Sequence, residues 1–145
     1  MEDIFSRQGV KIPRSTMCDW MARSDEIIRP LYELMKKRVL KSKAIHTDDT
    51  PVKVQDDELN KCRHGRIWIY LGDDNNPYNV FDYTTSRSRE GPDEFLNGFR
   101  GYLQADAFGG YDGIYLTKPV TEVLCNAHAR RKFYDARRYC QESFA

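Results

Sequence analysis

At Ala44 the spacing of apolar residues changes, and the change divides the chain in two. Upstream, Met17, Trp20 and Met21, then Ile27, Ile28, Leu31, Leu34, Met35 and Val39, recur at intervals of three and four residues, the mark of one helical face. Downstream, Ala44-Ile45-His46-Thr47 and Val52-Lys53-Val54 alternate, and Ile67-Trp68-Ile69-Tyr70-Leu71 is an almost continuous apolar and aromatic run. A chain patterned this way is a helical segment followed by a sheet-forming domain. Gly9 to Pro13 reads as a turn or extended lead-in, and Thr16 with Asp19 predicts a helix start near Ser15. Pro30 lies inside the apolar pattern, so a kink or a restart is expected there. Residues 1–43 are therefore a helical lead-in. Two readings stay open for it, a brace packed on the main domain or a DNA-contacting helix-turn-helix.

Residues 44–145 carry the remaining elements. Gly65 launches the Ile67–Leu71 strand and Gly72-Asp73-Asp74-Asn75-Asn76-Pro77 stops it. Val80 to Thr84 is the next strand, so the first three form an antiparallel meander. Pro92-Asp93-Glu94 opens a short helix, placing proline and acids where free N–H groups and the helix dipole favour them. Tyr102 to Ala105 is a fourth strand, reached through that helix and so expected parallel to the first. A sharp turn at Gly109-Gly110 precedes a short helical piece, then a strand over Val120 to Cys125. Ala127 to Gln141 is a helix with Phe133 and Tyr139 facing inward and Arg131, Lys132 and Arg138 facing water. The order strand, strand, strand, helix, strand, helical turn, strand, helix predicts an α/β fold. Its form is a ribonuclease-H-like mixed five-stranded sheet with flanking helices.

Charge is uneven although the net value is only +1. Residues 1–44 hold ten Lys or Arg against six acids, and residues 125–140 hold five basic residues against Asp135. Asp48, Asp49, Asp56, Asp57 and Glu58 form an acidic run between them. Basic flanks around an acidic centre suit a polyanion gripped at its edges, and equally suit an ordinary hydrated surface. The 40% apolar content excludes wholesale disorder. No stretch reaches the roughly 18 apolar residues that span a membrane, and no secretory leader follows Met1. The four cysteines form no CxxC pair, so a reduced, cytosolic protein is the expectation. Zinc held by Cys125, His128 and Cys140 is a minor alternative.

The chemistry lies in two acids. Asp48 falls within the first strand and Asp106 at the end of the fourth, and in such a sheet those strands are neighbours. Two carboxylates held close repel one another, and a divalent cation reverses the sign of that interaction. Mg²⁺ or Mn²⁺ bound this way suits phosphoryl transfer, with two ions about 3.5–4 Å apart in the complete arrangement. The competing reading makes both acids solvent-facing strand ends. Three local features favour the site: Ala105 and Ala107 leave room beside Asp106, Gly109-Gly110 permits close approach, and Thr50-Pro51 stiffens the chain after Asp48. Alternation points Asp49 away from Asp48, leaving it to hold Thr50 or a supporting partner. Glu122, within a strand, and Glu142, near the end of the last helix, are poor third ligands.

His128 opens the last helix ahead of Arg130, Arg131 and Lys132. It reads either as a structural histidine or as a contact to phosphate or metal-bound water, with the basic run touching neighbouring phosphates. Arg87 and Arg89, after the third strand, are weaker phosphate candidates. Trp68 and Tyr70 read as core rather than as base-stacking platforms, and neither His46 nor His64 has a distinguishing context.

Four segments together carry a family likeness: Arg14 to Trp20, Thr47-Asp48-Asp49-Thr50-Pro51-Val52, Gly101 to Ala107 with Gly110-Tyr111, and Cys125 to Phe133. With Gly65-Arg66-Ile67-Trp68 between them, the chain resembles transposases of the insertion-sequence 66 family along nearly its whole length. The resemblance implies a DDE-type DNA transposase with Asp48 and Asp106 as its first two catalytic, metal-binding aspartates. It also implies Mg²⁺ or Mn²⁺ as cofactor and transposon-end and target DNA as partners. The family's Ala-Asp-Glu-Thr-Pro stands here as Thr-Asp-Asp-Thr-Pro, and Asn126 replaces its usual Trp. Its catalytic glutamate lies downstream of the Ala-His-Ala-Arg-Arg-Lys segment, so residues 44–145 are expected to be an incomplete core that does not cut or join DNA alone. An uncovered sheet face is then expected to favour self-association into a homo-oligomer. A non-catalytic nucleic-acid-binding remnant and a ribonuclease-H-like nuclease are the alternatives.

Overall fold

The computed structural model describes residues 2–56 and 61–142. The chain divides into two compact units, residues 1–34 and 35–145. In the first, helix α1 (Glu2–Arg7) has acids in its first turn and Arg7 in its last, the arrangement the helix dipole favours. Gly9, at φ 81°, closes it, with the Val10 N–H donating back to the Phe5 carbonyl. Helix α2 (Arg14–Val39) begins one residue before Ser15 and continues through Pro30 as one element, so no restart occurs there. Its register carries over because a proline removes only one backbone donor from a helix this long.

The second unit is built on a five-stranded sheet in the order β3-β2-β1-β4-β5. Strands β1 (Ala44–Asp56), β2 (Lys61–Leu71) and β3 (Asn79–Thr84) form the antiparallel meander, while β4 (Gly101–Ala105) and β5 (Val120–Leu124) run parallel to β1. This is the ribonuclease-H-like arrangement expected from the sequence. Helix α3 (Glu90–Phe95) links β3 to β4, and a single 3-10 turn (Gly109–Tyr111) leads into α4 (Asp112–Thr117) before β5. Helix α5 (Asn126–Glu142) follows.

One sheet face carries the core. Ile45, Trp68, Tyr70, Val80, Leu103 and Ala105 alternate onto it and are buried with Phe95, Leu96, Phe99, Tyr111 and Ile114. Tyr70 stacks on Phe95 with ring centroids 3.6 Å apart, and Lys36 stands 4.6 Å over the outer side of that pair. Residues on the other face are open: Phe81, Tyr83 and Tyr102 are exposed. Phe133, expected to face inward, is 79% exposed. The segment from Ala129 to Arg137 is exposed throughout, so no packing surface draws that ring in. Tyr139 lies outside the residues whose side chains are described.

The β1–β4 pairing begins at a glycine. Gly101 sits at φ 143°, and a Cβ there would collide with the Lys43 carbonyl, so glycine is required for the close approach that starts the parallel ladder. The Tyr102 N–H then donates to the Lys43 carbonyl at 2.9 Å. From that point Ala44, Ile45 and His46 pair with Tyr102, Leu103 and Gln104.

Candidate active site

The β1–β4 pairing runs to His46 and Gln104; Asp48 follows two residues on within β1, and Asp106 lies one residue past the end of β4. Asp48 lies on the face opposite the core, its side chain 55% exposed. Its Oδ1 accepts a hydrogen bond from the Asp49 N–H at 2.9 Å and stands 4.0 Å from Nε2 of His128. The His128 N–H and the Ala129 N–H both bond the Cys125 carbonyl, at 3.1 Å each, and the Cys125 N–H bonds the Ala105 carbonyl at 2.9 Å. The start of α5 is thereby tied to the end of β4, one residue before Asp106.

Asp106 and His128 share a cavity of about 460 Å³, whose lining includes Arg87, Phe108, Arg131 and Lys132. Asp106 Oδ1 accepts from the Phe108 N–H at 3.3 Å, an Asx turn that fixes the carboxylate against the following loop. Its Oδ2 is 3.0 Å from Nη2 of Arg87. The sequence reading missed how thoroughly Arg87 is engaged. Its Nε and Nη2 donate to both oxygens of Asp49 at 2.7–3.1 Å, and its guanidinium lies 4.1 Å over the Phe108 ring. Asp49 also takes Nη1 of Arg66 at 2.8 Å and is 1% exposed. Alternation had turned Asp49 away from Asp48 correctly, but its partners are these two arginines rather than Thr50. A buried carboxylate next to aromatic strand residues was the available clue, since it demands cationic neighbours.

The loop carrying Arg87 is moored to the core. Trp68 Nε1 donates to Thr84 Oγ1 at 2.7 Å, and that hydroxyl donates to the Ser86 carbonyl at 2.7 Å. Trp68 in turn meets Phe108 and Tyr111 at centroid distances of 6.3 and 6.2 Å. The hydrogen bonds to Asp49 raise the Arg87 pKa further above its ordinary value. Burial raises the Tyr111 phenol and pushes Tyr115 up to about 12, so both stay neutral at physiological pH. The Cys125 thiol is drawn below its usual range, chiefly by the backbone N–H of His128.

The other sequence candidates are placed apart from this centre. Arg89 lies against Gly113, and Arg130 is exposed on α5. Glu122 pairs in register with Leu103, on the core-facing side of the sheet and away from Asp48. The Cys140 side chain of the zinc alternative lies outside the described residues, as does that of Glu142. Among the described residues no group of three or more His, Cys, Asp or Glu could hold a metal ion. Carboxylate oxygens such as those of Asp48, 55% exposed, and Asp106, 21% exposed, are the donor type a hard divalent cation takes.

Residues 1–145 match the family model described as Transposase IS66 family. The chain belongs to the IS66 transposase family. Three curated relatives from Sinorhizobium fredii are named as uncharacterized proteins. One, y4hP, is 33% identical over 141 residues, covering 90% of this chain and 25% of the relative. The protein y4qI is 28% identical over 148 residues, covering 92% and 27% respectively. For y4jD the identity is 26% over 144 residues, covering 91% and 28%. The chain thus spans about a quarter of the length of these relatives. Within the IS66 family this domain has the DDE-transposase fold, and its described residues contain no three-ligand metal cluster. No described helix is long and apolar enough to cross a membrane.

Proposed function

We propose that this chain is the part of a bacterial DNA transposase that brings the first two catalytic aspartates, Asp48 and Asp106, together around Mg²⁺ or Mn²⁺. The reading is supported above all by the parallel β1–β4 pairing, which runs to His46 and Gln104, two residues short of each acid. In the longer protein the reaction is phosphodiester cleavage and strand transfer at transposon ends. A bound divalent cation supplies activation of the attacking water or 3′-hydroxyl and charge relief at the leaving oxygen. The residues of this chain do the positioning. Asp48 and Asp106 furnish hard oxygen ligands. His128, 4.0 Å from Asp48, stands where it can orient that carboxylate or meet a phosphate oxygen. Arg131 and Lys132, lining the cavity with Asp106, attract the DNA backbone, with Arg130 extending the basic surface along α5. Arg89 sits further out, and residues 1–43 are a second candidate DNA contact. The setting is the bacterial cytoplasm, and pairing of two DNA ends calls for more than one copy.

Calorimetric titration with Mn²⁺ tests this. The parent chain takes up Mn²⁺ weakly and Asp106→Ala abolishes the uptake, while neither protein cuts or joins DNA. Equal heats from the two would remove the metal reading and leave a module that only binds nucleic acid. Metal-dependent cleavage without end joining, lost in Asp48→Ala, would identify a nuclease instead.

A further inference from the structure

Arg87 stands where a second cation would matter most. Its Nε and Nη2 saturate Asp49, and Nη2 spans onward to Asp106 Oδ2 at 3.0 Å. Phe108 supports the plane of the guanidinium from one side, and the Trp68–Thr84–Ser86 chain of hydrogen bonds fixes the loop that delivers it. Asp49 is already paired with Arg66 and has no solvent access, so it anchors Arg87 rather than competing for the site. Asp106, by contrast, is 21% exposed and opens on the cavity. One guanidinium therefore joins a permanently buried acid to an acid of the candidate site.

We propose that Arg87 is a positioning residue that acts as a built-in counter-charge for Asp106: it holds that carboxylate in place and competes with a divalent cation for it. The proposal rests on the reading of Asp48 and Asp106 as metal ligands. Capture of the ion at Asp106 requires Arg87 to release or share Oδ2, while its grip on Asp49 keeps the guanidinium close by. A phosphate in the cavity would provide Arg87 with a replacement partner, so DNA and metal would favour each other's binding.

The test is Mn²⁺ affinity, read by water-proton relaxation and calorimetry, in a set of variants. Removing Arg87 alone would strand Asp49, so the main variant is the double substitution Asp49→Asn with Arg87→Gln. It is expected to bind Mn²⁺ about tenfold more tightly than the parent: the two substitutions cancel in net charge, and the gain comes from freeing Asp106 Oδ2 of the guanidinium that contacts it at 3.0 Å. Adding Asp106→Ala to the pair should cancel the gain. Arg87→Lys, which keeps a charge for Asp49 but lacks the fork that reaches both acids, should bind about threefold more tightly, and it decides the matter if the double variant does not fold. Unchanged affinity in a folded Arg87 variant, with Asp106→Ala still abolishing uptake, would overturn the role of Arg87 and leave the metal reading standing. Absence of Mn²⁺ uptake in every protein would overturn both.

Discussion

Asp48 and Asp49 are adjacent in sequence, identical in chemistry and opposite in surroundings. Asp49 is sealed on the core side of β1, with two guanidinium groups on its carboxylate and 1% of its side chain exposed. Asp48, one residue earlier, faces out of the sheet with its neighbour's N–H and a histidine 4.0 Å away. The first is neutralised by the fold. The second keeps half of its side chain in water, where a ligand can reach it. A carboxylate's availability here is decided by strand parity, because a pleated strand sends consecutive side chains to opposite faces.

The sharpest way to break this contrast is to remove each acid. Asp49→Ala strands Arg66 and Arg87, and urea unfolding should show a loss of about 3 kcal/mol, the scale for breaking a buried ion pair from one side. A smaller effect is expected from Thr84→Val, which leaves the buried Trp68 indole N–H without its acceptor; about 2 kcal/mol should be lost in the same assay. Asp48→Ala should change stability by no more than about 0.5 kcal/mol, since its side chain is half in water. If Asp48→Ala proved as damaging as Asp49→Ala, the distinction between a structural and a ligand-ready acid would be lost.

The finest test concerns Cys125, between β5 and α5. Its lowered pKa means that thiolate forms at lower pH than in an unperturbed cysteine. Alkylation of Cys125 by iodoacetamide, followed on its own peptide, should therefore reach half its maximal rate at lower pH in the folded protein than in the urea-unfolded chain. Matching pH profiles would show that the α5 N-terminus exerts no influence at this end of the site.

Much of the architecture was legible in the sequence because period and punctuation agreed. The stop after Leu71 and the acid-led helix at Pro92 fell within a residue or two of the observed elements, whereas β2 begins at Lys61 and runs through Gly65, which had read as its start, because the polar residues before it pair with β1. Asp48 falls within β1 and Asp106 directly after β4, where the strand pattern put them. Three features were not legible. Helix α1 is too short to show a period, and Phe133 was misassigned because a helical stripe cannot tell whether anything packs against it. The Arg87 bridge was invisible because it joins residues 38 and 19 positions apart, and no local pattern encodes a partnership across a loop and two strands.

The mooring of Trp68 has a practical consequence. The chain has two tryptophans, Trp20 in the exposed stretch of α2 and Trp68 fully enclosed. Their emission should separate into a red component from the hydrated indole and a blue one from the enclosed ring. The blue emitter touches the phenylalanine beneath Arg87 and is hydrogen-bonded to the loop that bears it. The molecule thus has an optical gauge at its own centre, and a shift confined to the blue band would register that arginine changing partners without any label being attached.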